Sequence, residues 1–265
     1  MAGRLAGKVA IITGASRGLG QYCAVAYAKE GAKVAVAART EQESDPRLPG
    51  TIYATARMVD EAGGEGFPVV CNVADMASVE EMVEKVLAKF GRIDILMNNA
   101  AVQPPGGIST IQARHWELEF RVNVHGPFYC TRAVVPTMVK QKSGNIINIS
   151  SIAARPDSGS HYGATKRAVE SMTIGLANEL RGDGIAVNCL KPDGGLDTPG
   201  IRFARGGQID PEMERLFPKP DNYLEAAVLL AMQTPDTCTG GVFYDSEAIA
   251  RFADGSTGRP NAPAL

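Results

Sequence analysis

A single rhythm constrains this chain more than any other feature. Short β-branched apolar runs recur along it, and each is followed by a longer stretch with helical periodicity. The runs are KVAIIT (8–13), KVAVAA (33–38), FPVVCN (67–72), RIDILMN (92–98), NIINIS (145–150), IAVNCL (185–190) and GGVFYD (240–245). Several are apolar almost without a break, as expected of strands covered on both faces of a parallel sheet. The clearest helix spans 76–91. There Met76, Val79, Met82, Val83, Val86, Leu87 and Phe90 form one stripe, and Gly91 ends it. Further helices are expected near 18–30, 51–63, 112–141, 160–182 and 221–232. Strand–helix alternation of this kind requires right-handed crossovers, hence an α/β fold: a doubly wound parallel sheet of about seven strands flanked by helices. No internal repeat or linker divides residues 1–265, so a single domain is expected.

Size and composition narrow the function. A chain of 265 residues buries roughly 70–75% of its unfolded surface and needs no covalent staple. The net charge of −2 gives no reason to expect nucleic acid or anionic lipid as a partner. The five cysteines, Cys23, Cys71, Cys130, Cys189 and Cys238, form no C-x-x-C pair and no Cys/His cluster. That argues against a metal site or a disulfide framework, and their apolar settings suit buried reduced thiols. No run of 18 apolar residues exists, and a strand begins near Lys8, which leaves no room for a signal peptide. A soluble cytoplasmic protein is the expectation.

Two segments break the rhythm. TEQESDPRLPGT (40–51) is polar with two prolines and reads as a loop. The stretch 193–220 is rich in Gly and Pro yet carries Ile201, Phe203, Met213, Leu216 and Phe217, a pattern that suits a lid over an apolar substrate. The end of the chain, about 255–265, reads as a surface tail.

Local chemistry begins at TGASRGLG (13–20), where three glycines follow a strand and open a helix. Gly14 permits the turn, while Gly18 and Gly20 remove side chains where a pyrophosphate would lie against amides at the helix N-terminus. The second strand ends Ala37-Ala38-Arg39, with no carboxylate before Glu41. A carboxylate there would suit the ribose of NAD; Arg39 and Arg17 together suit the 2′-phosphate of NADP. Two solvated surface arginines are the competing reading. YGATK (162–166) places Tyr162 and Lys166 one helical turn apart on one face. Taken alone, that pair is more often surface decoration than chemistry.

The motifs TGASRGLG, NNA (98–100), NVHG (123–126), INISS (147–151) and YGATK (162–166) occur together in one order. In that order and spacing the chain resembles the short-chain dehydrogenase/reductase family over about residues 5–245. The insertion at 39–53 and the spacing from Pro192 to Thr198 resemble the hydroxysteroid-dehydrogenase-like branch. The resemblance implies a Rossmann-type domain and a catalytic set of Asn123, Ser151, Tyr162 and Lys166. It also implies dinucleotide contacts at Gly14, Ser16, Arg17, Gly18, Leu19, Gly20, Arg39, Asn72, Val73, Asn99 and Thr198, with Tyr162 and Lys166 facing the nicotinamide ribose. In the family the asparagine and lysine support a proton relay. Subunits pair through the helices matching 112–141 and 160–182, so a homodimer or homotetramer is expected. Departures are Ala101 in place of a glycine, Asp193 where Gly follows Pro, Asn72 in place of Asp, and FYDSEAIARF near the C-terminus. Only eleven positions separate Ser151 from Tyr162, so Ser150 competes for the serine role.

These residues suit the interconversion of a ketone and a secondary alcohol by hydride transfer, with NADP(H) preferred over NAD(H) and an apolar small molecule as substrate. A phenol with a reference pKa near ~10 must shift to work at neutral pH. An ammonium ~4 Å away at an effective dielectric of ~20 would contribute ~4 kcal/mol, about three pKa units. The competing function is a non-catalytic dinucleotide sensor or scaffold, which would need the glycine turn but not Tyr162. His161 reads as a surface histidine at a helix start, with a place in the wall of the substrate pocket as the competing reading. Trp116, Phe120 and Val124 read as the core side of a helix that Gly126-Pro127 interrupts beside Asn123.

Overall fold

The computed structural model describes residues 2–43, 45–204 and 220–254. Seven parallel strands form one sheet: β1 (Val9–Thr13), β2 (Lys33–Ala38), β3 (Glu65–Val70), β4 (Ile95–Asn98), β5 (Gly144–Ile149), β6 (Ile185–Lys191) and β7 (Val242–Tyr244). Their spatial order is β3-β2-β1-β4-β5-β6-β7. The order reverses between β1 and β4, and the C-terminal ends of those two strands form the crevice where ligands bind in folds of this kind. Successive residues point to opposite faces. Ala10, Ile12, Val34 and Val36 enter the core on one side, while Val9, Ile11, Ala35 and Ala37 enter the core on the other. Both faces of the sheet are therefore buried, which is why the strands lack a polar alternation.

The helices are α1 (Gly18–Lys29), α2 (Ile52–Glu61), α3 (Met76–Phe90), α4 (Ala113–Phe120), α5 (Gly126–Gln141), α6 (His161–Leu180), α7 (Pro199–Ala204), α8 (Asp221–Ala231) and α9 (Asp245–Phe252). α3 starts at Asp75, whose side chain accepts from Ala77 N, and stops at Gly91, which is left-handed with φ 74°. The expected helix 112–141 is continuous in space but changes winding. Between α4 and α5 lies one π-helical turn, Arg121–His125. Pro127 has no N–H to give the Asn123 carbonyl four residues back, so the hydrogen-bond register slips by one. α9 was not foreseen, and the short helix α7 falls in the segment expected to be loop. The expected lid falls largely on residues 205–219, which lie outside the described residues, as does the tail from 255. Among the described residues, no helix is long and apolar enough to cross a membrane.

Candidate active site and cofactor crevice

The glycine turn joins β1 to α1. Gly14 (φ +66°) and Gly18 (φ +60°) occupy the left-handed region that favours glycine. A Cβ on Gly20 would stand 2.5 Å from Asn99 Nδ2 and 2.7 Å from the Gly14 carbonyl oxygen. Gly20 therefore serves close packing beneath the turn, a role beyond the one expected for it. Asn99 braces the turn from β4, its Nδ2 donating to Thr13 O at 2.8 Å. Over Gly18 the space is open: a Cβ there would meet nothing nearer than Thr198 Cβ at 3.7 Å. Arg17, the N-cap of α1, makes no side-chain cap. First-turn amides without a side-chain acceptor, beneath an open cradle, fit a pyrophosphate. Ser16 is buried, and Leu19 packs on the core behind the turn. Val73 packs where a Gly126 Cβ would stand 3.0 Å away. Asn72 turns its Oδ1 inward, to Ala74 N at 3.2 Å.

The two arginines differ. Arg17 donates through Nε to Pro49 O at 3.2 Å and through Nη2 to Gly50 O at 3.1 Å, and burial lowers its pKa. It is anchored to the end of the 40–51 loop and is not the freely swinging half of a clamp. Arg39 is exposed and lines a cavity of about 580 Å³ with Thr40, Glu41, Gln42 and Tyr53.

Asn123, Tyr162 and Lys166 converge near the ends of β4 and β5. α6 starts at Ser160, whose hydroxyl accepts from Gly163 N at 2.9 Å. Gly163 supplies a contact that sequence reasoning passed over. A Cβ there would lie 2.2 Å from Ala153 O, so glycine lets the single turn Ile152–Ala154 abut α6 beside Tyr162. Lys166 is buried and donates to Ile149 O, at the end of β5, over 2.8 Å. Asn123, in the π turn, pairs its amide with Val102, Nδ2 to O and Oδ1 from N, both at 2.8 Å. Its Nδ2 also reaches Thr165 Oγ1 at 3.2 Å.

The two serines are distinguished by their partners. Ser150 is buried and donates to Glu170 Oε1 at 2.7 Å, an oxygen that also holds Lys191 Nζ at 3.2 Å. The Ser151 oxygen accepts from Ala153 N at 3.2 Å, leaving its proton available to a substrate oxygen. Asp193 turns away from the crevice: its carboxylate accepts from Ser246 N at 3.1 Å and Ser246 Oγ at 3.0 Å, where α9 begins.

Two electrostatic expectations need correction. Burial pushes the Tyr162 phenol up, and the negative charge of Glu119 pushes the same way. The Lys166 ammonium lies 5.5 Å from the Tyr162 ring centroid and donates to Ile149 O. Burial lowers Lys166 itself to about 8. His161 is no surface residue. It is buried, with Nδ1 2.6 Å from Glu119 Oε2 and Nε2 3.0 Å from Gly106 O. Trp116 stacks on Phe120 at 4.7 Å and is 36% exposed. The inward residues of this stretch are Glu119, Val122 and Asn123.

A parallel sheet with this reversal, a glycine turn at the crevice and a Tyr–Lys helix beside it define a dinucleotide-dependent oxidoreductase. The family model of the short chain dehydrogenases matches residues 8–205. Human hydroxysteroid dehydrogenase-like protein 2 is 34% identical over 251 residues, 93% of this chain. The chain spans only 58% of that relative's length. A 3-oxoacyl-(acyl-carrier-protein) reductase of Thermotoga maritima is 33% identical over 246 residues, covering 90% of this chain and 96% of the reductase. Among solved structures, a short chain dehydrogenase from Mycobacterium thermoresistibile matches with TM-score 0.85 and 30% identity, covering 95% of this chain and 89% of that one. A metagenomic short-chain oxidoreductase in complex with NADP matches with TM-score 0.74 and 29% identity, covering 91% and 97%. The chain belongs to the short-chain dehydrogenase/reductase family.

Proposed function

We propose that this chain interconverts a ketone and a secondary alcohol with NADP(H), with Tyr162 as the acid/base. The observation that carries this reading is the joining of Asn123, Tyr162 and Lys166 at the ends of β4 and β5, beside the open cradle over Gly18. When bound, a nicotinamide dinucleotide supplies or accepts the hydride. Tyr162 gives its proton to the carbonyl oxygen, and Ser151 donates a hydrogen bond to that oxygen as charge develops. Lys166 holds positive charge near the phenol, and Asn123 fixes the wall at Val102. A phenol whose pKa is raised by burial keeps its proton available for the carbonyl oxygen.

The preference for NADP rests on Arg39, exposed at the end of β2, and on the absence of a carboxylate at that strand end. An apolar carbonyl or alcohol is the proposed substrate class. Exposed Trp116, Leu118, Phe128 and Ile174 on α4, α5 and α6 support a homodimer or homotetramer, and cytoplasmic residence is part of the same reading. The sensor alternative needs the glycine turn but has no use for the phenolic hydroxyl of Tyr162. A panel of ketones and alcohols with NADPH, NADH and their oxidised forms, followed by nicotinamide absorbance, tests the proposal. Turnover of an apolar ketone with NADPH preferred is expected. Tight dinucleotide binding without turnover across the panel would favour the sensor.

A further inference from the structure

The Glu119–His161 pair is a buried polar device that the proposed chemistry does not use. Glu119 is 0% exposed and His161 is 3% exposed, and Glu119 Oε1 has no hydrogen-bond partner. A polar pair buried this way contributes little net stability, because desolvation offsets attraction. Its geometry is directional instead. Both ring nitrogens of His161 face acceptors, the Glu119 carboxylate at 2.6 Å and the Gly106 carbonyl at 3.0 Å. One proton therefore lies between Nδ1 and Oε2, and Nε2 carries a second, which it donates to Gly106.

Gly106 belongs to the segment between Asn99, which braces the glycine turn, and α4. Residues 105–110 of that segment are exposed. It is pinned at two points. Asn123 holds Val102, and His161 holds Gly106. The two pins repeat along the same helices. Glu119 and Asn123 lie four residues apart, as do His161 and Thr165, and Asn123 meets Thr165 just as Glu119 meets His161. The face that carries Tyr162 is thus stitched to the face that carries Asn123, and the segment 102–106 is drawn over the join. The segment also carries Pro104, Pro105 and Ile108, the last 57% exposed.

Resting on the function read above, we infer that His161 is a specificity-determining, positioning residue: oriented by Glu119, it pins Gly106 and so sets the 102–108 segment as one wall of the site for an apolar carbonyl substrate. Its role is to place that wall, one residue from the phenol that exchanges the proton.

The test separates the two ends of the imidazole. In H161N the amide can still donate to Glu119 from the Nδ1 position, but it cannot reach Gly106. In E119Q the amide can donate to Nδ1 while Nε2–H still serves Gly106. The expected result is a KM for the parent's best ketone raised about 10-fold or more in H161N, with kcat within about 3-fold and NADPH affinity unchanged. Faster hydrogen exchange over 102–111 should accompany it, and E119Q should stay within about 3-fold of the parent in KM. Unchanged exchange in H161N overturns the proposal whether or not the parent turns over any carbonyl, and so does faster exchange with an unchanged KM. A parent that binds NADPH but turns over nothing counts against the function instead, and the exchange arm then decides the pinning by itself. Should H161N fail to fold, nitrogen-15 NMR of the unmodified protein, which has three histidines, decides. A proton on His161 Nε2 that resists solvent exchange is expected, and an unprotonated Nε2 overturns the proposal.

Discussion

Lys166 shows how an environment can set a residue's chemistry against its stability. Its ammonium is buried, and burial lowers its pKa to about 8 from 10.5. Between those values the unfolded chain binds more protons than the folded one, so stability rises with pH across that window. Below about 8 the full cost of burying the charge is present, on the order of 3 kcal/mol. Lys166→Met removes that cost but also the charged bond to Ile149 O, worth ~2 kcal/mol. Urea unfolding at pH 7 should find the variant more stable by about 1 kcal/mol, with the advantage gone by about pH 10.5. A difference independent of pH would contradict the account. Arg39 makes the second residue-scale prediction. Arg39→Asp should weaken NADP by ~10-fold or more while leaving NAD within a few-fold, because a carboxylate repels the 2′-phosphate and accepts from a ribose hydroxyl. Titration of both cofactors by fluorescence checks this. That Tyr162, Lys166 and Asn123 lie close together was legible in the sequence, because five motifs in register point to them. His161 was not, because burial against Glu119 depends on contacts across forty-two positions of sequence.

At the scale of elements, strands were read more faithfully than the joints between them. Each of the seven apolar runs overlaps an observed strand, because burial on both faces leaves a continuous apolar signature. The π turn at Arg121–His125 left only a hint, Gly126-Pro127, since a one-residue slip of register needs no change of hydrophobic pattern. α9 was hidden because its start, Asp245, follows directly on a strand and reads as part of it; Asp193 then reaches the new helix start through Ser246. The glycine turn gives the prediction at this scale. Gly20→Ala would press a methyl against the Asn99 amide and the Gly14 carbonyl oxygen at 2.5 and 2.7 Å. Such overpacking costs roughly 1–3 kcal/mol, and here it distorts the cradle itself. Thermal unfolding should fall by several degrees and NADPH binding by at least ~10-fold, read by calorimetry. A variant with parent-like melting and affinity would show that α1 can shift away from Asn99 at little cost.

Over the whole molecule, the fold class followed from the alternation of period, and the crevice followed from where strand order reverses. The outer surface did not, because apolar residues exposed on a monomer look in sequence like core. Trp116 was expected inside and is 36% exposed, and Phe128 on α5 is 46% exposed. If subunits pair through α4 and α5, Phe128→Asp should convert a dimer or tetramer to monomer in sedimentation at micromolar concentration, with the fold intact by circular dichroism. An unchanged sedimentation coefficient would place the contact elsewhere. The central claim, that the half-buried phenol on α6 moves the proton, is tested most directly by Tyr162→Phe. The substitution removes one oxygen that makes no hydrogen bond to the protein among the described residues, so fold and cofactor binding should be retained. Single-turnover reduction of the parent's best ketone by NADPH should then fall by at least ~10³-fold, with NADPH affinity within about 3-fold. Turnover within a few-fold of the parent would contradict the account.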